Sequence, residues 1–186
     1  MTNEVETRER SNPAAFSIET VSSIASAFIV FFLIIVFIAR PVRVDGSSMN
    51  PTLTDTDWLV VRTGYYVPEH GDIVIISREQ QNESPLVKRV IAVGGDSVDI
   101  DFAAGSVIVN GEKLEEPYIA ELTHRPGNMQ FPLIVPEDFV FVMGDNRNHS
   151  LDSRFTEVGL IERERLLGKA VFRLFPWGSF RIYDYE

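Results

Sequence analysis

At 186 residues the chain is long enough for one compact domain plus an extra helix, or for two small β subdomains over a shared core. It has no cysteine, which excludes a disulfide framework, a thiol nucleophile and a cysteine metal site and leaves the redox compartment open. The formal net charge is −10, and from Pro41 onward 14 basic side chains face 23 acidic ones, a balance that would repel a phosphate backbone and argues against nucleic acid as a partner.

Residues 1–16 are polar and charged, with a break at Asn12-Pro13, and read as a short tail. Thr20 to Ala39 then runs for 20 residues without a charge, dense in Ile, Phe, Val and Leu, with Glu19 and Arg40 at its ends. At 1.5 Å per residue such a helix covers about 30 Å, the hydrocarbon thickness of a bilayer. The pattern predicts one transmembrane helix over 17–40. A cleaved secretory leader would carry a shorter apolar region and a small-x-small site, whereas this run ends Ile38-Ala39-Arg40-Pro41. Arg8 and Arg10 precede the helix and Arg40 and Arg43 follow it, so charge alone leaves its orientation open.

After Pro41 the sequence changes to short β-like runs: Trp58–Val61, Ile73–Ile76, Leu86–Val93, Val98–Phe102, Val107–Val109, Phe139–Met143 and Ala170–Leu174. Asn110-Gly111 between two such runs is a strong hairpin signal. Glu162–Leu167 is the one candidate for a short soluble helix. The stretch of approximately 102–132, richer in Pro and Gly, reads as an inserted minor subdomain. The predicted fold is therefore mainly β: an antiparallel sheet or partly open barrel over 41–186, with a small inserted β subdomain, behind one N-terminal transmembrane helix.

Three segments carry chemistry. Gly46-Ser47-Ser48-Met49-Asn50-Pro51-Thr52-Leu53 reads as a tight exposed turn that can present a hydroxyl and leave backbone N–H groups for an oxyanion. Ser48 lies nine residues past Ala39, so its chemistry falls within roughly 30 Å of the helix end. In Leu86–Val93 strand alternation puts Leu86, Lys88, Val90 and Ala92 on one face and Val87, Arg89, Ile91 and Val93 on the other. A lysine in an apolar row loses part of its preference for the charged form and can serve as a general base. Taken alone, the strand reads more simply as an edge lysine that blocks aggregation. Gly144–Arg154 packs two Asp, two Arg, two Asn and two Ser into eleven residues. Asp145, Arg147, Asp152 and Arg154 read as a network tying strands together, and Ser150 as the member best suited to hydrogen-bond an amine.

These segments, with Gly71-Asp72-Ile73-Val74 and in this order behind an N-terminal helix, resemble type I signal peptidases from about residue 41 to 154. The resemblance implies a membrane-bound endopeptidase with its catalytic domain outside the cytoplasm, removing signal peptides that end in a small-x-small pattern. It implies Ser48 as nucleophile, Lys88 as general base, Ser150 as the residue that orients the lysine, and Asp145, Asp152 and Arg154 as supporting positions. No His or carboxylate cluster has metal-ligand spacing, so neither a metal nor a cofactor is expected. Some members carry a serine where this chain has Gly46, which puts the second oxyanion donor in doubt. Leu86 stands where tyrosine is common, and Gly94-Gly95-Asp96 where Pro-Gly-Asp is common.

Other classes fit less well. A Ser-His-Asp hydrolase would have to use His149, beside Ser150, in no G-x-S-x-G context. A Ser-x-x-Lys enzyme is excluded at Ser48, since Pro51 stands three residues on. A tethered β-domain that binds partners without catalysis would explain the helix and the sheet but not Lys88 in an apolar row. Met49 and Trp177 are further candidates for contact with the membrane interface.

Overall fold

The computed structural model describes residues 13–78 and 84–175, in two units that divide after Ile38. The first contains helix α1, Pro13–Ile38, 26 residues or about 39 Å long. Proline suits the first helical position because its missing N–H would have no intrahelical acceptor there, and α1 is described from Pro13 onward. Among the described residues no helix is long and apolar enough to cross a membrane. Within α1 the side chains described are those of 20–33, all exposed. Within the expected 17–40 span, residues 17–19 and 34–38 lie outside the described side chains.

The chain leaves the helix two residues before the end of the expected 17–40 span, because Ala39–Arg43 is already strand β1. In the second unit β1 stands at the edge of an all-antiparallel seven-stranded sheet, with β2 (Trp58–Arg62), β3 (Ile73–Ile76), β4 (Leu86–Val93), β9 (Phe139–Met143), β10 (Ile161–Glu162) and β11 (Leu166–Phe175), ordered β1-β2-β11-β3-β4-β9-β10. Pro41 donates no backbone hydrogen bond, so an edge position suits it. β3 and β4 lie in the middle. All four residues of β3 are buried, which is why they form an unbroken apolar run rather than an alternating one.

The smaller sheet is β7-β6-β5-β8, made of β5 (Ser97–Asp101), β6 (Ser106–Val109), β7 (Glu112–Lys113) and β8 (Leu133–Ile134). The segment read as an insertion over approximately 102–132 thus sits within a sheet running from Ser97 to Ile134. Asn110 and Gly111 have φ of 54° and 82°, the left-handed pair that a two-residue hairpin between β6 and β7 requires.

Two expectations are corrected. Glu162–Leu167 forms no α-helix: Glu162 ends β10, Arg163–Arg165 makes one 3₁₀ turn, and Leu166 begins β11. The charged residues of this stretch cap a sheet connection rather than one face of a helix. The face assignment along β4 also fails after Val90, where a bulge against β9 shifts the register. Ala92 consequently packs with Ile91, Phe141 and Met143, not with Val90, Val74 and Val142.

Candidate active site

Ser48 sits in the connection from β1 to β2. The Val44 N–H donates to the Asp57 carbonyl at 2.8 Å and the Thr56 N–H to the Val44 carbonyl at 3.0 Å, closing the base of the loop. The Leu53 N–H donates to the Met49 carbonyl at 2.9 Å, closing a tight turn, and both side chains lie in the core beside Leu59, Val61 and Ile73. Val44, ahead of the serine, lies in the same core, and burying such side chains contributes about 1.5–3 kcal/mol each, so the loop is anchored on both sides of a half-exposed Ser48. Met49 is therefore a core residue and not a membrane contact, because it is 1% exposed. Trp177 lies outside the described residues.

Gly46 adopts φ +90°, and its N–H donates to Asp55 Oδ1 at 3.0 Å. A Cβ there would meet nothing within 4 Å, so the backbone angle, rather than space, selects glycine over serine. Among the described residues nothing accepts the Ser48 N–H, which leaves one backbone donor beside the hydroxyl.

Lys88 lies on β4, paired across the sheet with Val74 and flanked on its own face by Leu86 and Val90, whose apolar cluster includes Ile76 and Val142. It is 2% exposed, and its Nζ is 2.6 Å from Ser48 Oγ. An ammonium in that place loses its water and recovers no carboxylate partner among the described residues. Burial is the largest influence and lowers the Lys88 pKa from 10.5 to about 8. Asp152 opposes the shift, Arg78 reinforces it, Asp145 opposes it and Arg154 reinforces it.

Both of those carboxylates are engaged elsewhere. Asp145 is held bidentately by Arg89, from Nε to Oδ1 at 2.8 Å and from Nη2 to Oδ2 at 2.7 Å, and also accepts from Thr52 Oγ1 at 2.5 Å. Asp152 is held by Arg154, at 2.8 Å from Nε and 2.9 Å from Nη2, and accepts the Gly144 N–H at 3.0 Å. All four of these charged side chains are fully buried.

The 144–154 loop also grips the serine loop directly. The Asn146 N–H donates to the Ser48 carbonyl at 3.0 Å, and Asn146 Nδ2 to the Ser47 carbonyl at 3.1 Å. Gly144 packs so closely that a Cβ would collide with the Ser48 carbonyl and with Ser150 Oγ, a close approach that only glycine permits. Ser150 is thus beside the site, buried, but its Oγ makes no hydrogen bond. His149 is exposed on the 3₁₀ turn Arg147–His149.

The structure therefore brings Ser48, Lys88, Gly46, Ser150, Asp145, Asp152 and Arg154 into one region, and among the described residues Lys88 alone hydrogen-bonds the serine hydroxyl. Sequence reasoning assigned no role to Thr52, Arg89, Asn146, Glu116 or Tyr118. Arg89 had a usable signal, since an arginine inside an apolar strand requires a buried partner. Glu116 and Tyr118, in an irregular stretch, had none.

A family model described as "Signal peptidase, peptidase S26" matches residues 17–177. Signal peptidase I of Bacillus licheniformis is 39% identical over 180 residues, covering 89% of this chain and 92% of that protein. Signal peptidase IB of Staphylococcus aureus (strain COL) is 34% identical over 182 residues, covering 88% and 92%. A crystal structure of a signal peptidase I from Enterococcus faecalis V583 is similar with a TM-score of 0.48 and 26% identity, over 58% of this chain and 100% of that one.

Proposed function

Because the chain belongs to the signal peptidase family, peptidase S26, we propose that it is a membrane-bound serine endopeptidase that removes N-terminal signal peptides from exported preproteins. The observation that carries this reading is the 2.6 Å approach of Lys88 Nζ to Ser48 Oγ in a setting that disfavours the ammonium. With the amine neutral, the Ser48 hydroxyl donates its hydrogen bond to Nζ. As Oγ attacks the scissile carbonyl, the proton passes to Lys88 and the oxygen gains negative charge. The Ser48 N–H is positioned to stabilise that charge. Lys88 then returns its proton to the leaving amine, giving the mature protein and an acyl-enzyme ester on Ser48. A water molecule, deprotonated by Lys88, releases the signal peptide. Ser–Lys pairs are one variant of the nucleophile–base arrangement.

The substrate is an extended peptide with a small-x-small pattern before the cut. Membrane attachment is supported by α1. Its charge-free sequence runs from Thr20, and Val21, Ile24, Phe28, Ile29, Val30, Phe31 and Phe32 are each more than half exposed, an arrangement that water does not tolerate. The outer side of β2 and β11 adds support. Trp58 pairs with Phe175 and Val60 with Phe172, and the three aromatic side chains are exposed on β2, beside β1, and on β11, the next strand in. In this reading the catalytic domain lies on the extracytoplasmic side of the cell membrane.

The test is to incubate the detergent-extracted full chain with a preprotein and map the product by mass spectrometry. The expected result is a single cut after a small-x-small sequence, reduced at least about 10³-fold in both Ser48→Ala and Lys88→Arg. Arginine preserves the positive charge but does not deprotonate in proteins. Near-wild-type cleavage by Lys88→Arg would eliminate the mechanism, and a chain released from membranes without detergent would eliminate the anchor.

A further inference from the structure

We propose that Tyr118, together with Glu116, is a positioning residue of the Ser48–Lys88 site, acting through Arg89 and Arg147; this rests on the reading of that site given above. Tyr118 belongs to the irregular chain after β7, in a part of the sequence with no catalytic motif. It is nevertheless 2% exposed. Its ring lies under the Arg89 guanidinium, with Cζ 4.0 Å from the ring centroid, and the Arg147 Cζ is 5.8 Å from the same centroid. Its hydroxyl donates to Glu116 Oε1 at 3.1 Å. That same oxygen accepts from Arg147 Nη2 at 2.5 Å, while Oε2 accepts from Nη1 at 2.9 Å.

Each arginine continues to the serine loop by a different route. Arg89 holds Asp145 with two hydrogen bonds, and Asp145 accepts from Thr52, four residues past the serine. Arg147 Nε donates to the Gly144 carbonyl at 3.1 Å, and Gly144 is packed against the Ser48 carbonyl. A buried guanidinium needs partners around its plane as well as along its edge. The carboxylates of Asp145 and Glu116 supply the edge, and the Tyr118 ring supplies a face to Arg89. Removing the ring would take away the face contact that holds the guanidinium plane in line with Asp145 and the Gly71 carbonyl, and the Asp145–Thr52 contact would loosen with it. A small displacement of Oγ from Nζ lowers the acylation rate without touching the groove that binds peptide.

The experiment compares Tyr118→Phe and Tyr118→Leu in the detergent-solubilised full chain, measuring kcat and KM on a peptide that spans a small-x-small cleavage site. Phenylalanine keeps the ring and is expected to retain kcat within about 3-fold. Leucine keeps an apolar side chain but loses the aromatic face, and kcat should fall about 10-fold or more with KM within about 2-fold. Leucine at full kcat, a leucine defect confined to KM, or phenylalanine as impaired as leucine would each overturn the proposal. Should Tyr118→Leu fail to fold, Glu116→Gln decides, because it keeps the shape and removes the charge facing Arg147. Its kcat is expected to drop several-fold at unchanged KM, and wild-type kcat in that variant would overturn the proposal. Ser48→Ala run alongside separates the two levels. An active Ser48→Ala sinks the reading of the site itself, whereas an inactive Ser48→Ala beside a fully active Tyr118→Leu sinks only the role of Tyr118.

Discussion

Lys88 and Arg89 are adjacent residues on the same buried strand, at 2% and 0% exposure, and the protein treats their charges in opposite ways. Arg89 is surrounded. A carboxylate takes two of its nitrogens, the Gly71 carbonyl takes a third at 2.8 Å, and an aromatic ring covers a face. Lys88 meets one hydroxyl. The contrast separates two uses of a buried cation. A permanently charged guanidinium, fully partnered, fixes geometry. An amine denied a carboxylate gives up its proton more readily, as the proposed role of base requires. The same separation explains why Asp145 and Asp152, which would otherwise hold a proton on Lys88, are each bound to an arginine.

Breaking the paired side of this contrast should have the largest effect on stability. Asp145→Ala leaves Arg89 buried with its charge uncompensated, and loss of one member of a buried pair typically costs about 3–5 kcal/mol. Urea unfolding should show a loss of unfolding free energy of that size, and a loss near zero would mean that the network is not coupled to folding. The unpaired side should respond in the opposite direction. Lowering a lysine pKa from 10.5 to about 8 destabilises the fold by about 3 kcal/mol at neutral pH, at about 1.4 kcal/mol per unit. Below pH 8 both folded and unfolded chains carry the proton, and the folded chain bears the full cost of burying it. Between about 8 and 10.5 the folded chain sheds the proton first and the cost fades. Lys88→Met should therefore be inactive yet more stable at pH 7 by about 1–3 kcal/mol, after allowance for the lost contact to Ser48. The gain should shrink as pH rises through that window.

What the sequence made legible follows the range of the interactions. Most strands were readable because apolar runs and turn residues are local signals. Ile73–Ile76 and Leu86–Val93 appear with the bounds expected, and Asn110-Gly111 makes the turn its residues prescribe. The short strands β8 and β10, two residues each, have no pattern to read and exist only because a partner strand lies beside them. The serine and the lysine came from ordered motifs, and their contact spans 40 residues that local rules do not connect. The supporting network is less legible still. Thr52 reaches Asp145 across 93 positions, and Glu116 reaches Arg147 across 31 from a stretch with no periodicity. Ser150 illustrates a different limit. Composition suggested a hydroxyl for the amine, and the fold buries that hydroxyl against Gly144 without a hydrogen bond.

The central claim is that Lys88 acts as an uncharged amine at Ser48. The most direct test is the pH dependence of kcat/KM for a peptide substrate, followed from about pH 5.5 to 10. Activity should rise as the amine loses its proton, with a single inflection near the lowered value of about 8 and a steep loss on acidification. A rate that stays flat across that range, or one that climbs only toward the ordinary lysine value of 10.5, would contradict the account.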